Sequence, residues 1–202
     1  MAGFFTAMGK RTLVRRRGRG GKQFRAIIVG KIAPAKYPNF KLEEHHTGRV
    51  VDIVHERGRD APLAKIQFDT GKYSLVPAPE GTMAGNTIEV GTSTAASAGN
   101  ILALESVPDG TVVCNIEKNA GDGGKLIKAA GSSAVVFAHS PEGVTIRFPS
   151  GKFLTLNQKC RAMVGAIAGG GHKEKPFLKA GTRAKHMQAH GRLYPTVRGI
   201  AQ

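Results

Sequence analysis

The sequence of 202 residues has no tryptophan, three tyrosines and nine phenylalanines. A hydrophobic core must therefore consist mainly of Val, Ile, Leu and Ala, and at this length we expect one or two small domains. No apolar run approaches the roughly 18 residues of a membrane-spanning helix. Residues 1–17 do not resemble a secretory signal, because their charge follows the apolar stretch. They are Gly-rich where organelle import peptides are Ser-rich, which disfavours import as well.

Cysteine is also scarce. Cys114 and Cys160 are far apart and form no CxxC motif, so we predict ordinary buried thiols in a reducing compartment. The GGK triplets at 20–22 and 123–125 lack the upstream Gly and following Ser or Thr of a nucleotide-binding loop, and GxGxxG is absent. No local signature pairs a nucleophile with a base. The sequence therefore gives an enzymatic function little support, and we predict no cofactor.

Metal-binding signatures are missing too. His186 and His190 (HMQAH) would share one face of a helix, but no Cys or carboxylate neighbours them and no HExxH occurs. We predict no metal site and interpret both as polar contacts. His45 and His46, at the junction of a basic and a neutral segment, are interpreted as structural.

Acidic residues are absent from one end of the chain and nearly absent from the other. Residues 1–42 carry 11 Lys and Arg and no acid, residues 43–156 carry 10 against 13 Asp and Glu, and residues 157–202 carry 9 against one Glu. The segments contribute +11, −3 and +8, which sum to the net charge of +16. Two basic arms around a nearly neutral domain indicate a polyanionic partner, with nucleic acid favoured over an anionic membrane surface.

The middle of the chain is rich in Val, Ile, Thr and Phe, interrupted by Gly, Pro, Asp and Asn, which is typical of short strands joined by turns. SPEG (140–143) and PSG (149–151) are turn sequences. Ten strands in about 120 residues exceed one small barrel, so we predict an all-β fold of two tandem barrels with a break near residues 98–100. We expect no helix of ordinary length before residue 180. The predicted strands are 49–55, 63–68, 72–77, 87–90, 101–104, 111–117, 134–140, 144–148, 152–156 and 160–167.

Several basic stretches are suited to phosphate contact. RRRGRGGK (15–22) alternates Arg with Gly, which lets the backbone approach an anionic surface. RGRDAP (57–62) and KNAGDGGK (118–125) would present cations from loops. In the C-terminal segment, Tyr194 among cations could stack on an unpaired base or simply pack.

Five stretches resemble one known family. They are MGKRTLVRRRGRGGKQFRA (8–26), RGRDAPLAK (57–65), PDGTVVCNIEKNAGDGGKL (108–126), VGAIAGGGHKEKPFLKAGTRAKH (164–186) and YPTVRG (194–199). Together they resemble the universal large-subunit ribosomal protein L2 family, and the first resembles its archaeal and eukaryotic branch.

The resemblance implies an OB-like barrel followed by an SH3-like barrel, with basic extensions that enter ribosomal RNA. It places a basic N-terminal extension at 1–42, the OB-like barrel at 43–100, the SH3-like barrel at 101–163 and a Gly-rich basic extension at 164–202. Implied partners are large-subunit ribosomal RNA, neighbouring ribosomal proteins and the small subunit at the intersubunit face, with a cytoplasmic location on the ribosome and no membrane. Family members support subunit association, transfer-RNA binding and the peptidyl-transferase region, where the catalyst is RNA. The resemblance therefore implies that the protein is not an enzyme.

The motifs and the resemblance together predict a set of RNA-binding residues. We expect the glycines to lie against packed RNA and the cations to neutralise phosphates, although the glycine run could instead be a flexible linker. The predicted residues are Arg15, Arg16, Arg17, Arg19, Lys22, Arg25, Arg57, Arg59, Lys118, Lys125, Lys159, Arg161, Gly169, Gly170, Gly171, His172, Lys173, Lys175, Lys179, Arg183, Lys185, Arg192, Tyr194 and Arg198.

In one respect the sequence departs from the family pattern. Family members usually continue after the VRG stretch into a Gly- and His-rich segment, whereas this sequence stops at Gln202. The family's histidine in that segment is therefore not assigned to any residue here, and His172, His186 and His190 are not expected to replace it. Two other interpretations stay open: a non-ribosomal RNA-binding factor with tandem barrels, and an enzyme acting on nucleic acid.

Overall fold

The computed structural model describes residues 12–41, 44–92 and 94–198. Residues 1–11 of the predicted N-terminal extension and residues 199–202 of the C-terminal extension lie outside the described residues. The chain separates into two compact units. One combines Met1–Lys31 with Pro176–Gln202, and the other is Ile32–Lys175.

Ten short strands form the larger unit, and each corresponds to a predicted strand to within three residues at either end. Their bounds are β1 His46–Val54, β2 Leu63–Phe68, β3 Tyr73–Pro77, β4 Thr87–Val90, β5 Ile101–Ala103, β6 Val112–Cys114, β7 Ala134–Ser140, β8 Gly143–Arg147, β9 Phe153–Leu156 and β10 Arg161–Val164, with a short 3₁₀ helix at Leu104–Ser106. The mostly β architecture is confirmed. Closure into two barrels and the predicted domain boundaries remain predictions.

The strands pair in a single sheet in the order β3-β2-β1-β4-β5-β10-β6-β7-β8-β9. Most pairings are antiparallel, but β4 and β5 pair in parallel through Val90 and Ile101. The predicted turns are present: SPEG joins β7 to β8, and PSG joins β8 to β9 with Gly151 at φ +79°, where a side chain would be strained.

Two hydrophobic cores lie along this sheet, and β5 and β10 serve both. Ile101 and Met163 belong to the cluster under β1–β4, while their neighbours Leu102 and Ala162 belong to the cluster under β6–β9. Successive side chains of a strand point to opposite faces. A strand between two cores must therefore be apolar at every position, which explains the uninterrupted runs ILA and AMV.

The free cysteines belong to these cores, as predicted. Cys114 and Cys160 are fully buried. Burial raises the pKa of the Cys114 thiol to about 12 and that of Cys160 to about 11. Thiols that stay protonated are poor nucleophiles, so both are inert structural groups.

The smaller unit contains helices α1, Leu13–Gly18, and α2, Ala180–Ala189, and a 3₁₀ turn at Lys22–Phe24. α2 ends in a Schellman motif: Arg192 N–H donates to the Met187 carbonyl (2.8 Å) and Gly191 N–H to that of Gln188 (3.0 Å). Gly191 has φ +67°, and a Cβ there would lie 2.6 Å from the Ala26 nitrogen. The glycine thus ends the helix and lets the chain pack against the N-terminal segment.

A histidine on β7 makes the stability of the larger unit sensitive to pH. His139 Nε2 lies 3.0 Å from the Leu104 carbonyl and Nδ1 lies 2.6 Å from the Asp109 carboxylate. The hydrogen bond to Leu104 raises the pKa of His139 above 6.5, and Asp109 raises it further. The folded chain therefore holds this proton more tightly than the unfolded chain. Its stabilisation is complete below pH 6.5 and is lost as pH rises through the folded-state pKa.

We expect His139→Gln to lower the free energy of unfolding by up to about 1 kcal/mol, the range of exposed ion pairs. The difference from the wild type should be largest near pH 5.5 and should shrink towards pH 8. Urea unfolding across this range measures it, and Asp109→Asn is the matched control that removes the partner. A difference that is constant with pH would contradict the assignment.

Candidate nucleic-acid interface

Most of the predicted RNA-binding cations lie at the surface, in both units. Arg16 and Arg59 are half-buried and Arg161 is buried. The exposed ones are Arg15, Arg17, Arg19, Lys22, Arg25, Arg57, Lys118, Lys125, Lys159, Lys173, Lys175, Lys179, Arg183, Lys185, Arg192 and Arg198. Among the residues described, no helix is long and apolar enough to cross a membrane.

The N-terminal cations are organised by α1. Arg15, Arg16 and Arg17 occupy its last turn, where cations are stabilised by the negative end of the helix dipole. Arg19 and the glycines that follow end the helix, with Gly20 at φ +62°. The end of this short helix therefore presents exposed guanidinium groups at Arg15, Arg17 and Arg19, which are suited to phosphate contact.

The KNAGDGGK loop is held in shape by Glu117, which the sequence did not mark. The Glu117 carboxylate is fully buried and accepts hydrogen bonds from the backbone N–H groups of Gly121 (3.2 Å) and Gly123 (2.9 Å). Lys118 and Lys125 are carried outward on this loop, and Lys125 lies 3.5 Å from Asp122. An acid at the end of an apolar strand is indistinguishable from a surface acid in sequence alone.

Arg161, which was predicted to bind RNA, is instead the buried partner of Glu117. Its Nη2 donates to Glu117 Oε1 at 2.7 Å, and its Nη1 donates to the Pro38 carbonyl at 2.9 Å. The side chain is 5% exposed. A guanidinium committed to a buried carboxylate is not available to a phosphate, so Arg161 supports the loop from inside.

The same interior network fixes the segment before β1. Tyr37 is buried, and its hydroxyl donates to the Asn115 carbonyl at 2.6 Å. The Arg161 guanidinium carbon lies 5.5 Å from the centre of the Tyr37 ring. Burial, with Cys114 and Glu117 nearby, raises the pKa of Tyr37 well above its ordinary value. The phenol thus remains a hydrogen-bond donor and joins the segment to the loop.

Lys128 and Lys36 are cations of this region that the sequence interpretation missed. Lys128 Nζ donates to the carbonyls of Ala35 (2.5 Å) and Gly124 (3.0 Å). Burial, and then the positive charges of Arg59 and Lys36, lower the pKa of Lys128 to about 8. Isolated lysines between turn residues carry no sequence signal, and only folding brings them together.

The RGRDAP loop contains two different kinds of arginine. Arg57 is exposed, as predicted. Arg59 is half-buried, and its Nε donates to the buried Glu56 carboxylate at 2.6 Å. An ion pair with a buried partner fixes loop structure, so Arg59 contributes to folding in addition to any contact with a ligand.

The glycine run after β10 is part of a hydrogen-bonded turn. Ala168 N–H donates to the Ala78 carbonyl and Glu174 N–H to that of Gly171, both at 2.9 Å. Gly169 and Gly171 have φ of +81° and +73°. A Cβ on Gly131 would lie 2.6 Å from the Gly170 Cα. All three glycines are exposed, but part of the requirement for glycine is a backbone contact within the protein.

We expect Gly131→Ala to destabilise the fold more than Gly151→Ala. Both positions have positive φ, so each substitution carries about 1 kcal/mol of backbone strain. A Cβ on Gly151 meets nothing within 4 Å, whereas one on Gly131 must push the Gly170 backbone away. Chemical denaturation of both variants should show an excess loss of roughly 1–3 kcal/mol for Gly131→Ala. Equal losses would mean that the loops carrying Gly131 and Gly170 can move apart at no cost in free energy.

The remaining predicted residues make contacts within their own units. His172 Nε2 lies 3.5 Å from Asp60, and its Nδ1 lies 3.1 Å from the Gly169 carbonyl. The Arg183 guanidinium lies 5.3 Å from the Tyr194 ring centre, which favours packing as one role of Tyr194. Base stacking by Tyr194 remains a prediction.

His46, His186 and His190 each contact groups within their own unit. His46 lies 3.1 Å from Asp69 and stacks on Phe40 with ring centroids 3.9 Å apart. The rings of His186 and His190 lie with centroids 4.4 Å apart and planes at 45°, and His190 Nδ1 lies 2.9 Å from the His186 carbonyl. The structural role predicted for His46 agrees with these contacts. The absence of a metal site remains a prediction.

Exposed cations on the loops and near both ends of a mostly β chain are the features expected of a protein that binds RNA. Comparison with known families gives two matches: "Ribosomal Proteins L2, RNA binding N-terminal domain" over residues 8–90, and "Ribosomal Proteins L2, C-terminal domain" over residues 97–202. The chain belongs to the ribosomal protein L2 family, a family of structural ribosomal proteins rather than enzymes.

Similar proteins include three named "Large ribosomal subunit protein uL2". The one from Nitrosopumilus maritimus is 54% identical over 196 residues, which is 96% of this chain and 80% of the relative. The one from Cenarchaeum symbiosum is 56% identical over 195 residues, with the same coverage of both chains. That from Korarchaeum cryptofilum is 43% identical over 194 residues, 96% of this chain and 79% of the relative. The predicted family is thus confirmed, with archaeal relatives.

Proposed function

We propose that this protein is a structural constituent of the large ribosomal subunit that binds large-subunit ribosomal RNA. The observation that carries the proposal is the match to both halves of the ribosomal protein L2 family over nearly the whole chain. The net charge of +16, concentrated at the two ends, supplies the electrostatic attraction that RNA binding requires.

In this proposal the sheet closes into an OB-like and an SH3-like barrel that hold the loop cations in fixed positions. Arg57, Lys118 and Lys125 orient the protein on RNA, while the arm cations supply most of the affinity. Neighbouring ribosomal proteins and the small subunit are further partners. The protein supports subunit association, transfer-RNA binding and the peptidyl-transferase region, in which RNA carries out the chemistry.

Co-sedimentation tests the proposal against the alternative of a non-ribosomal RNA-binding factor. The tagged chain is expressed in an archaeal host, and large subunits are isolated before and after a wash in high salt. We expect the chain to remain with the large subunit in near-stoichiometric amount, because buried RNA contacts resist screening better than exposed ones. Release of the whole pool by the wash would support the factor instead.

A further inference from the structure

A row of side chains crosses the outward face of the sheet from β6 to β9. In the strand registers, Val112 lies opposite Val135, Val135 opposite Arg147, and Arg147 opposite Phe153. Side chains directly opposite one another on one face lie within about 5.5 Å at Cβ. Val112 and Phe153 are 40% and 54% exposed. The row is therefore a continuous surface, mostly apolar, with one cation in it.

A second aromatic ring extends this row. Phe137, 57% exposed, packs edge-on against Phe153 with ring centroids 5.0 Å apart and planes at 68°. Phe137 lies at the bulge where the β7–β8 register shifts between Val136 and Ala138. Bulges redirect side chains and are frequent at functional surfaces. Because the two rings meet edge to face, each ring leaves part of the other ring's faces uncovered.

The charge of this surface selects the kind of partner. The sequences of β7, β8 and β9 contain no Asp or Glu. Arg147 is exposed opposite Phe153. The acids closest to β7 in the described part of the chain are Asp109, which is paired with His139, and Glu142 in the turn between β7 and β8. Unpaired RNA offers both groups that this surface can use, a base for a phenyl ring and a phosphate for a guanidinium. An apolar protein segment would leave Arg147 without a counter-charge.

We propose that the outward face formed by Val135, Phe137, Arg147 and Phe153 stacks one or two unpaired nucleotides of RNA. The bases lie against the phenyl rings, and Arg147 contacts the adjoining phosphate. The proposal rests on the RNA-binding function proposed above and adds to it a local site, outside both basic arms and outside the loops predicted from sequence.

The absence of tryptophan allows a local test in the full-length chain. Phe153→Trp introduces a single tryptophan into the proposed site, and Tyr73→Trp is the matched control on β3 at the opposite edge of the sheet. Tyr73 is 57% exposed and Lys65 Nζ already lies 4.9 Å from its ring centre. Each variant is titrated with a single-stranded RNA decamer and with a ten-base-pair RNA duplex. Total binding is followed separately by anisotropy of labelled RNA.

In the Phe153→Trp chain we expect the single strand to quench the indole fluorescence by about half or more and the duplex to quench it far less, because only unpaired bases can stack on the ring. The indole of the Tyr73→Trp chain should change little with either RNA. Phe137→Leu in the Phe153→Trp chain keeps the surface apolar but removes one ring, and should weaken local binding by about 5- to 100-fold. Arg147→Gln should weaken it as well.

Three results would each overturn this site while leaving RNA binding by the chain intact. They are RNA binding detected by anisotropy without quenching in the Phe153→Trp chain, equal quenching in the two tryptophan variants, and no effect of Phe137→Leu. If the anisotropy of the labelled RNA showed no binding to the chain at all, the result would count against the proposed function.

Discussion

Glu117→Gln is expected to lower the free energy of unfolding by about 3–5 kcal/mol, the range found when one partner of a buried ion pair is removed. The substitution leaves the Arg161 guanidinium buried opposite a neutral amide. It also replaces a carboxylate oxygen with an NH₂ group near backbone N–H donors that need an acceptor. For a chain of this size the melting temperature should fall by roughly 10 °C.

Matched variants separate this effect from a general loss of charge. Glu142→Gln, in the exposed turn between β7 and β8, should change stability by less than about 0.5 kcal/mol. Arg161→Met in the Glu117→Gln chain removes the orphaned charge, so the double variant should be less destabilised than the sum of the two single variants. A loss below about 1 kcal/mol for Glu117→Gln would show that water enters the site and that the pair does not hold the loop.

Replacing four exposed arginines of the N-terminal arm with glutamine is expected to weaken RNA binding far more than the same charge change on the folded unit. Each phosphate contact to a single strand contributes about −0.7 to the slope of log affinity against log salt. Four lost contacts should flatten the slope by about 3 and lower affinity by roughly 10²–10³-fold at about 0.1 M salt. The arm variant replaces Arg15, Arg17, Arg19 and Arg25.

The control changes the same number of charges at exposed positions of the strands and turns. It replaces Arg49, Lys65, Lys72 and Lys152. Binding of both variants to a ribosomal RNA fragment is measured from about 0.05 to 0.3 M salt, the range over which counterion release changes affinity most clearly. If the two variants show equal slopes, affinity depends on net charge alone, and the assignment of bulk affinity to the arms is wrong.

The strands were predictable because their signals are local. LAKIQF, TIEV and AVVFAHS each combine β-branched residues with turn sequences at their ends, and the structure has strands at all three. The sequence also predicts no helix of ordinary length before residue 180, and the ten-residue helix α2 begins at Ala180. The pairing order was not predictable, because the parallel contact of β4 with β5 and the position of β10 between β5 and β6 depend on which apolar faces meet in three dimensions.

In the candidate interface, too, local features were predictable from the sequence and contacts between distant residues were not. Lys118, Lys125 and the arm cations are predicted as exposed cations from composition and turn residues, and within the described residues most of them lie at the surface. The sequence groups Arg161 with them, since a basic residue next to an apolar strand resembles a surface cation. Its burial follows from Glu117, which lies 44 positions earlier in the chain and has no local pattern that distinguishes it.

The sequence by itself determined the class of partner, the mostly β content and the family, because charge distribution, strand periodicity and motifs are properties of neighbouring residues. The tertiary structure alone decided which charges are available to RNA and why certain glycines are needed. Arg161 is buried in an ion pair with Glu117. Gly131 and Gly170 are distant in the sequence but lie against each other in the folded chain. Burial and close backbone contact depend on residues brought together from distant positions, and no local pattern records them.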